Sequence, residues 1–202
     1  MTLTIFLATG NAHKLRELRQ MFAAAARPWT VEGAAALGGM PPVDENAGTF
    51  SGNALLKARA LQKLAPAGAW ILADDSGLEV QALGGAPGVH SARYAGAGAK
   101  DGANTEKLLR ALAIIPDAAR AARFVCVLAL LGPGGVEKIF EGECRGRIGR
   151  NLIGGGGFGY DPVFLPDGFE KTFAELGDDV KNRISHRAQA LRKLFAYLEK
   201  IS

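Results

Sequence analysis

Two consecutive carboxylates, Asp74 and Asp75, stand between an apolar stretch and Ser76-Gly77. Paired carboxylates at the C-terminal end of a strand can hold Mg²⁺, which takes oxygen ligands and completes its shell with water and substrate phosphates. The same letters also build turns, because Asp, Ser and Gly favour turn geometry wherever they occur. Glu45, in a stretch without period, is a further oxygen ligand able to reach the same ion. A second set is cationic. Thr9, Gly10, Asn11, Ala12, His13 and Lys14 follow an apolar run and open a helical pattern. The N–H groups and positive dipole end of a helix start form an anion site. His13 and Lys14 fall in that first turn, where a cation is disfavoured by roughly 0.3–1 kcal/mol. A bound phosphate reverses that cost, and a solvated lysine tolerates it. The segment is not a Walker A loop, since G-x-x-x-x-G-K-[ST] does not occur in the chain.

The same oddity recurs near the C-terminus. Ser185 precedes His186 and Arg187 at the start of a helical pattern, with Lys181 and Arg183 just before them. From position 178 to 202, six Lys/Arg face three Asp/Glu, which biases this end positive. A fourth set is the run of four glycines at 154–157 followed by Phe158, Gly159, Tyr160, Asp161 and Pro162. It spells G-x-G-x-x-G, but Pro162-Val163-Phe164 follows and no helix can start there, so a dinucleotide-binding reading fails. Phe158 and Tyr160 then either stack on a base or enter the core. Zinc is excluded, because His13, His90 and His186 lack ligand spacing. Acyl transfer on a G-x-S-x-G serine is excluded by the absence of the motif.

The elements that must position these groups follow from periodicity. Residues 2–8 read as a buried strand, and Asn11 caps a helix with Leu15, Leu18, Phe22 and Ala26 on one face. Arg27-Pro28 ends it, and 33–48 read as a loop. Thr49 opens a second helix carrying Phe50, Ala54, Ala58, Leu61 and Ala65 inward. Residues 70–73 and 78–83 read as two short strands around a turn at 74–77. A Gly/Pro loop at 84–98 leads to a helix over 104–113. Residues 123–131 and 136–148 flank Gly132-Pro133-Gly134-Gly135, a hairpin signal. Ser185 caps a last helix with Ala188, Leu191, Leu194, Phe195 and Leu198 inward. Helix and strand alternate early and a hairpin comes late, so the fold class is α/β with a mixed sheet.

Composition bounds the partners. The 202 residues carry a net charge of +4, too dilute to identify nucleic acid as the partner. An apolar content of 48% excludes disorder. The longest apolar run, 124–131, is far shorter than the ~18 residues of a membrane span. Nothing at the N-terminus signals export, and two cysteines, Cys126 and Cys144, form no framework; a cytoplasmic chain is expected. Twenty-seven glycines stand out against a usual ~7%.

The segments TGNAHK, ENAGTFSGNALLKARA, ADDSGLEV, LGGAPGVHSARYAG, FGYDPVF and SHRAQAL occur in this order. The series resembles the inosine triphosphate pyrophosphatase family, which includes the bacterial dITP/XTP pyrophosphatases, from about Thr4 to Leu198. The resemblance implies a single pyrophosphatase domain over 1–202, with an elongated mixed sheet and flanking helices forming two lobes around a nucleotide cleft. It implies a homodimer that uses Mg²⁺ and hydrolyses ITP, dITP or XTP to the monophosphate and pyrophosphate, with no nucleic-acid or membrane partner. By position, it gives Thr9, Gly10, Asn11, Ala12, His13 and Lys14 to the triphosphate, and Asp75 to base catalysis and the metal with Glu45 as second ligand. Ser76, Lys181, His186 and Arg187 become substrate contacts; Phe158, Gly159, Tyr160 and Asp161 receive base and ribose. Asn53 and Lys57, four apart on one helix face, support the phosphate end, and Asp74 is the alternative base. The chain departs from the family pattern twice: Gly52 replaces a Glu before Asn53, and ENAGTF replaces the commoner ETGxTF. Two other readings are a non-catalytic nucleotide- or RNA-binding module and a pyrimidine nucleotide pyrophosphatase of similar fold.

Overall fold

The computed structural model describes residues 3–201, so Thr2 of the first expected strand lies outside the described residues. Five helices and six strands follow in chain order: β1 (Leu3–Ala8), α1 (Ala12–Ala24), β2 (Trp29–Gly33), α2 (Phe50–Gln62), β3 (Trp70–Val80), α3 (Asp101–Ala111), β4 (Ala121–Gly132), β5 (Val136–Ile148), β6 (Phe164–Pro166), α4 (Phe173–Ile184) and α5 (His186–Leu198). The strands form one sheet in the order β2-β1-β3-β4-β5-β6. β1 runs parallel to both β2 and β3, while β5 and β6 are antiparallel. The sheet is therefore mixed, as the sequence pattern predicts. No helix among the described residues is long and apolar enough to cross a membrane.

The chain divides into two compact units. The first comprises Met1–Asp75, Val127–Glu141 and Ala190–Ser202; the second comprises Ser76–Cys126 and Gly142–Gln189. In the first unit, Ile5, Leu7, Leu18, Ala54, Ala58, Leu61, Ile71 and Leu72 are fully buried. Phe195 of α5 meets Phe22 edge-on at 4.9 Å and lies 5.3 Å from the Trp29 ring. The second unit has its own core, in which Leu78, Leu108, Leu112, Phe124, Tyr160, Phe164 and Phe173 pack together. Phe164 stacks on Phe173 at 5.4 Å, so short β6 is held by both aromatic packing and its pairing with Gly146–Ile148.

Four expectations need correction. The turn expected at 74–77 does not form: β3 runs unbroken for eleven residues through Asp74, Asp75, Ser76 and Gly77. Turn propensity is overridden because both carboxylates are buried in the sheet against lysines, where an extended backbone keeps its ladder bonds. The stretch from 29 was not expected to be extended, yet Trp29–Gly33 alternates buried and exposed in step with a strand. Asp101 opens α3 three residues before the expected start, and the helix ends at Ala111. The whole of α4 was missed, although Thr172 and Glu175 make a reciprocal capping box at its start.

Candidate active site

In the first unit the strand-to-helix junction is built as its letters imply. Asn11 Oδ1 accepts from His13 N at 2.9 Å and from Lys14 N at 3.2 Å, and Asn11 N donates to Thr9 Oγ1 at 3.1 Å. The cap thus takes two of the helix-start donors that a phosphate could have used. Gly10, Asn11, Ala12 and His13 are exposed, and His13 Nδ1 is 3.3 Å from the Arg16 guanidinium. Beside the two readings given above, the first-turn cation has a partner within the protein. Lys14 Nζ reaches Asp74 Oδ1 at 2.5 Å, so a buried carboxylate offsets the unfavourable dipole.

Successive strand residues point to opposite faces, and each of the two carboxylates meets a different lysine. Lys57 Nζ of α2 donates to Asp75 Oδ1 at 2.6 Å and lies 3.7 Å from Glu45 Oε2. Lys57 is 9% exposed and Asp75 6%, so the pair is nearly dry. Asp75 Oδ2 is buried and accepts no hydrogen bond. Burial pushes the Asp75 carboxyl above its ordinary range and outweighs the attraction of Lys57 and Lys14; the nearby Glu45 adds to the rise. An unpaired buried acceptor of raised proton affinity has the character required of a general base.

The same oxygen is the structural test of the Mg²⁺ expectation. Asp75 Oδ2, with both its lone pairs unengaged, and a partly exposed Glu45 carboxylate offer a hard cation two oxygen donors. Among the described residues no three His, Cys, Asp or Glu side chains converge as a metal cage. The donor set therefore suits Mg²⁺ that keeps waters and substrate oxygens, and not an all-protein site. Asn53 belongs to this neighbourhood too: it is fully buried, its Oδ1 accepts from Ala47 N at 3.1 Å, and its Nδ2 has no partner.

The second unit gathers the other sequence-predicted residues. Arg187, 1% exposed, donates to Ser76 Oγ at 3.1 Å. Lys181 Nζ sits 4.4 Å from the Phe158 ring centroid and donates to Asp161 Oδ2 at 2.5 Å. The Arg187 guanidinium lies 5.9 Å from the same ring. Asp161 Oδ2 also accepts from Phe158 N at 2.9 Å, so one buried carboxylate fixes both the loop and its cation. His186 stacks on Phe124 at 4.8 Å and 12°. Tyr160 is not available for stacking: its ring is in the core and its hydroxyl donates to Ser91 O at 2.9 Å. Burial raises its phenol above the usual range. Gly159 N donates to Asp101 Oδ2 at 2.7 Å, an anchor missed because α3 was expected to begin at 104.

The glycine run is no slack linker. A Cβ on Gly154 would stand 2.8 Å from the Ala174 backbone, and one on Gly156 would stand 2.9 Å from Ala174 O. The run lies against the first turn of α4, and Gly157, at φ +72°, leads directly into Phe158. Arg120 was also unforeseen. It is 2% exposed and donates to the carbonyls of Leu112, Ile148 and Gly149 at 2.9–3.0 Å, tying the end of α3 to the strand that precedes the glycine run. No spacing in the sequence distinguishes it from a surface arginine.

A mixed α/β sheet carrying a buried carboxylate–lysine cluster on one strand, and buried cations about an aromatic loop, has the parts of a phosphoanhydride hydrolase. Comparison with known proteins fixes the lineage. Residues 5–197 match the family model of the Ham1 family, and the chain belongs to that family. It is 55% identical over 194 residues to the dITP/XTP pyrophosphatase of Opitutus terrae, covering 94% of this chain and 96% of that protein. It is 47% identical over 190 residues to the dITP/XTP pyrophosphatase of Streptomyces avermitilis, covering 94% of each. The Staphylococcus aureus Ham1 protein structure superposes with a TM-score of 0.85 at 40% identity, covering 98% of this chain and all of that one. The Coxiella burnetii HAM1 structure gives 0.86 at 39%, covering 98% and 99%.

Proposed function

We propose that this chain hydrolyses non-canonical purine nucleoside triphosphates, ITP, dITP and XTP, to the monophosphate and pyrophosphate, clearing them from the cytoplasmic nucleotide pool. The observation that carries the reading is the vacant Asp75 Oδ2, buried beside Lys57 and Glu45. The names of the Opitutus and Streptomyces relatives support the substrate class.

In the proposed reaction a water oxygen forms a bond to the α-phosphorus, and the bond from that phosphorus to the α,β-bridging oxygen breaks. The water proton passes to Asp75 Oδ2, and pyrophosphate leaves with the electron pair. Lys57 holds the Asp75 carboxylate in place through Oδ1, which leaves Oδ2 directed by its partner and not by chance. Asp74 is the less suitable base: Lys14 engages its Oδ1 at 2.5 Å, and it has no buried oxygen without a partner such as Asp75 Oδ2. Lys14 and the 9–13 segment, exposed from Gly10 onward, supply positive charge and donors to the leaving group. Asp75 and Glu45 would hold Mg²⁺, which when bound neutralises phosphate charge. Selectivity falls to the second unit. Lys181 and Arg187 are donors about Phe158, His186 stacks on Phe124 and precedes Arg187 in the chain, and a 6-oxo purine would offer these donors an acceptor. Adenine presents a 6-amino donor instead, and donor facing donor forfeits the hydrogen bond that the 6-oxo group would accept, about 1.5–3 kcal/mol for a charged donor. The homodimer is carried over from the family resemblance as part of the same proposal, and sedimentation equilibrium tests it.

Incubating the protein with ITP, dITP, XTP, ATP, GTP and dTTP, with and without Mg²⁺, tests the reading. Monophosphate and pyrophosphate from the 6-oxo substrates, only with Mg²⁺, are expected. Diphosphate and orthophosphate, or preference for dTTP, would overturn it.

A further inference from the structure

Ala47, ahead of α2, and Gly52, in its first turn, meet in space. A Cβ placed on Gly52 would stand 2.5 Å from Ala47 Cβ and 3.0 Å from Thr49 Oγ1. No Cβ pair tolerates 2.5 Å, and Ala47 has no side-chain rotamer with which to retreat, so the backbone around Ala47 would have to move. Ala47 in the ENAGTF segment therefore requires glycine at the third position of α2. Two hydrogen bonds lash the same few residues together. Gly52 N donates to Thr49 Oγ1 at 3.1 Å, and Ala47 N donates to Asn53 Oδ1 at 3.1 Å. Gly48 between them takes φ +71°, a conformation that glycine adopts without strain. Two residues before Ala47 is Glu45, 3.7 Å from Lys57 Nζ.

We propose that the Ala47–Gly52 contact, with Asn53 as its polar strut, is the positioning device that sets the Glu45 carboxylate beside Lys57 and Asp75. The proposal rests on the reading of Glu45 and Asp75 as the metal-holding pair, and it assigns roles to residues outside that pair. Ala47, Gly52 and Asn53 are positioning residues: they touch no reacting atom and act through the backbone that carries Glu45. The segment is exposed at Ala47 and buried at Asn53, so a group added at position 52 pushes the chain toward solvent and takes Glu45 with it.

The test is a cycle of Gly52→Ala, Ala47→Gly and the double variant, read by melting temperature, crystal structure and Mn²⁺ titration of the substrate-free protein. Alanine is the better helix former, so an unobstructed Gly52→Ala would raise the melting temperature by ~2–4 °C in a chain of this length. The proposal expects the opposite sign in the native background and the ordinary rise in the Ala47→Gly background. It also expects the Glu45 carboxylate to leave Lys57 in the single variant and to return in the double. Mn²⁺ affinity should fall about tenfold in Gly52→Ala and recover in the double variant, with Asn53→Ala lowering it similarly. A higher melting temperature for Gly52→Ala alone, or a Glu45 carboxylate that stays beside Lys57, would overturn the proposal. Glu45→Gln separates the two layers. If it binds Mn²⁺ as tightly as the native protein, the metal reading fails, and the Glu45 position in the crystal still decides the positioning claim.

Discussion

The charged groups of the two units are arranged in opposite ways. In the first unit, Asp75 gives one oxygen to Lys57 and keeps the other without a partner. In the second, Asp161 gives a single oxygen to both Lys181 and Phe158 N, and the pair it forms is 2.5 Å long and almost wholly buried. The difference follows from what each is proposed to do. A group that must accept a proton is held in place on one side and left unsatisfied on the other, and burial raises its affinity for that proton. Groups that must read a base are mutually satisfied before the substrate arrives, so that shape and donor positions are fixed in advance.

Breaking this contrast has graded consequences. Asp75→Asn removes the acceptor while keeping the shape, and turnover of ITP should fall by about 10²–10⁴-fold, far more than any loss of stability accounts for, since Glu45 still faces Lys57. Pyrophosphate release measures it, and a variant within threefold of native would refute the role. Asp161→Asn should act on stability first. Stripping one partner from a buried pair costs about 3–5 kcal/mol, read as a lower urea midpoint. Lys14→Met in the first unit strips Asp74 of the Lys14 charge, but Lys14 is 14% exposed on its side chain and water can enter, so a smaller loss is expected. Arg187→Met should narrow the preference for ITP over ATP by about tenfold, one lost donor's worth. Unchanged discrimination would remove Arg187 from base recognition.

The smallest effect concerns pH in the metal-free protein. The folded Asp75 carboxyl titrates above the ordinary value of 3.8, so the folded state holds a proton that the unfolded chain has released. Its contribution to stability is fully present below 3.8 and is lost as pH rises through the raised folded value. The urea midpoint of the native protein minus that of Asp75→Asn should therefore fall as pH rises across that window.

Legibility in the sequence follows how local the determining force is. Asn11, Thr49 and Ser185 are caps, and each does in the structure what its letter and position announce: Ala188 N donates to Ser185 Oγ at 3.2 Å, and Thr49 and Asn11 bind their own helix starts. The turn between β4 and β5 sits where its Gly-Pro-Gly-Gly stands. Asp74 and Asp75 misled because their turn propensity is local, whereas the lysines that keep them extended lie 60 and 18 residues away. The capping box at Thr172 and Glu175 was readable, but Gly177 interrupts the helical pattern behind it at φ +75°. Arg120 and the Ala47–Gly52 contact carry no one-dimensional signal, since only the folded backbone brings their partners near.

The central claim is water attack at the α-phosphorus with the proton taken at Asp75, and isotope labelling tests it most directly. Hydrolysis of ITP in water enriched in ¹⁸O, followed by mass spectrometry of both products, should place the label in the monophosphate and none in pyrophosphate, with Asp75→Asn forming neither at a comparable rate. Label in the pyrophosphate, or release of a diphosphate, would contradict the account.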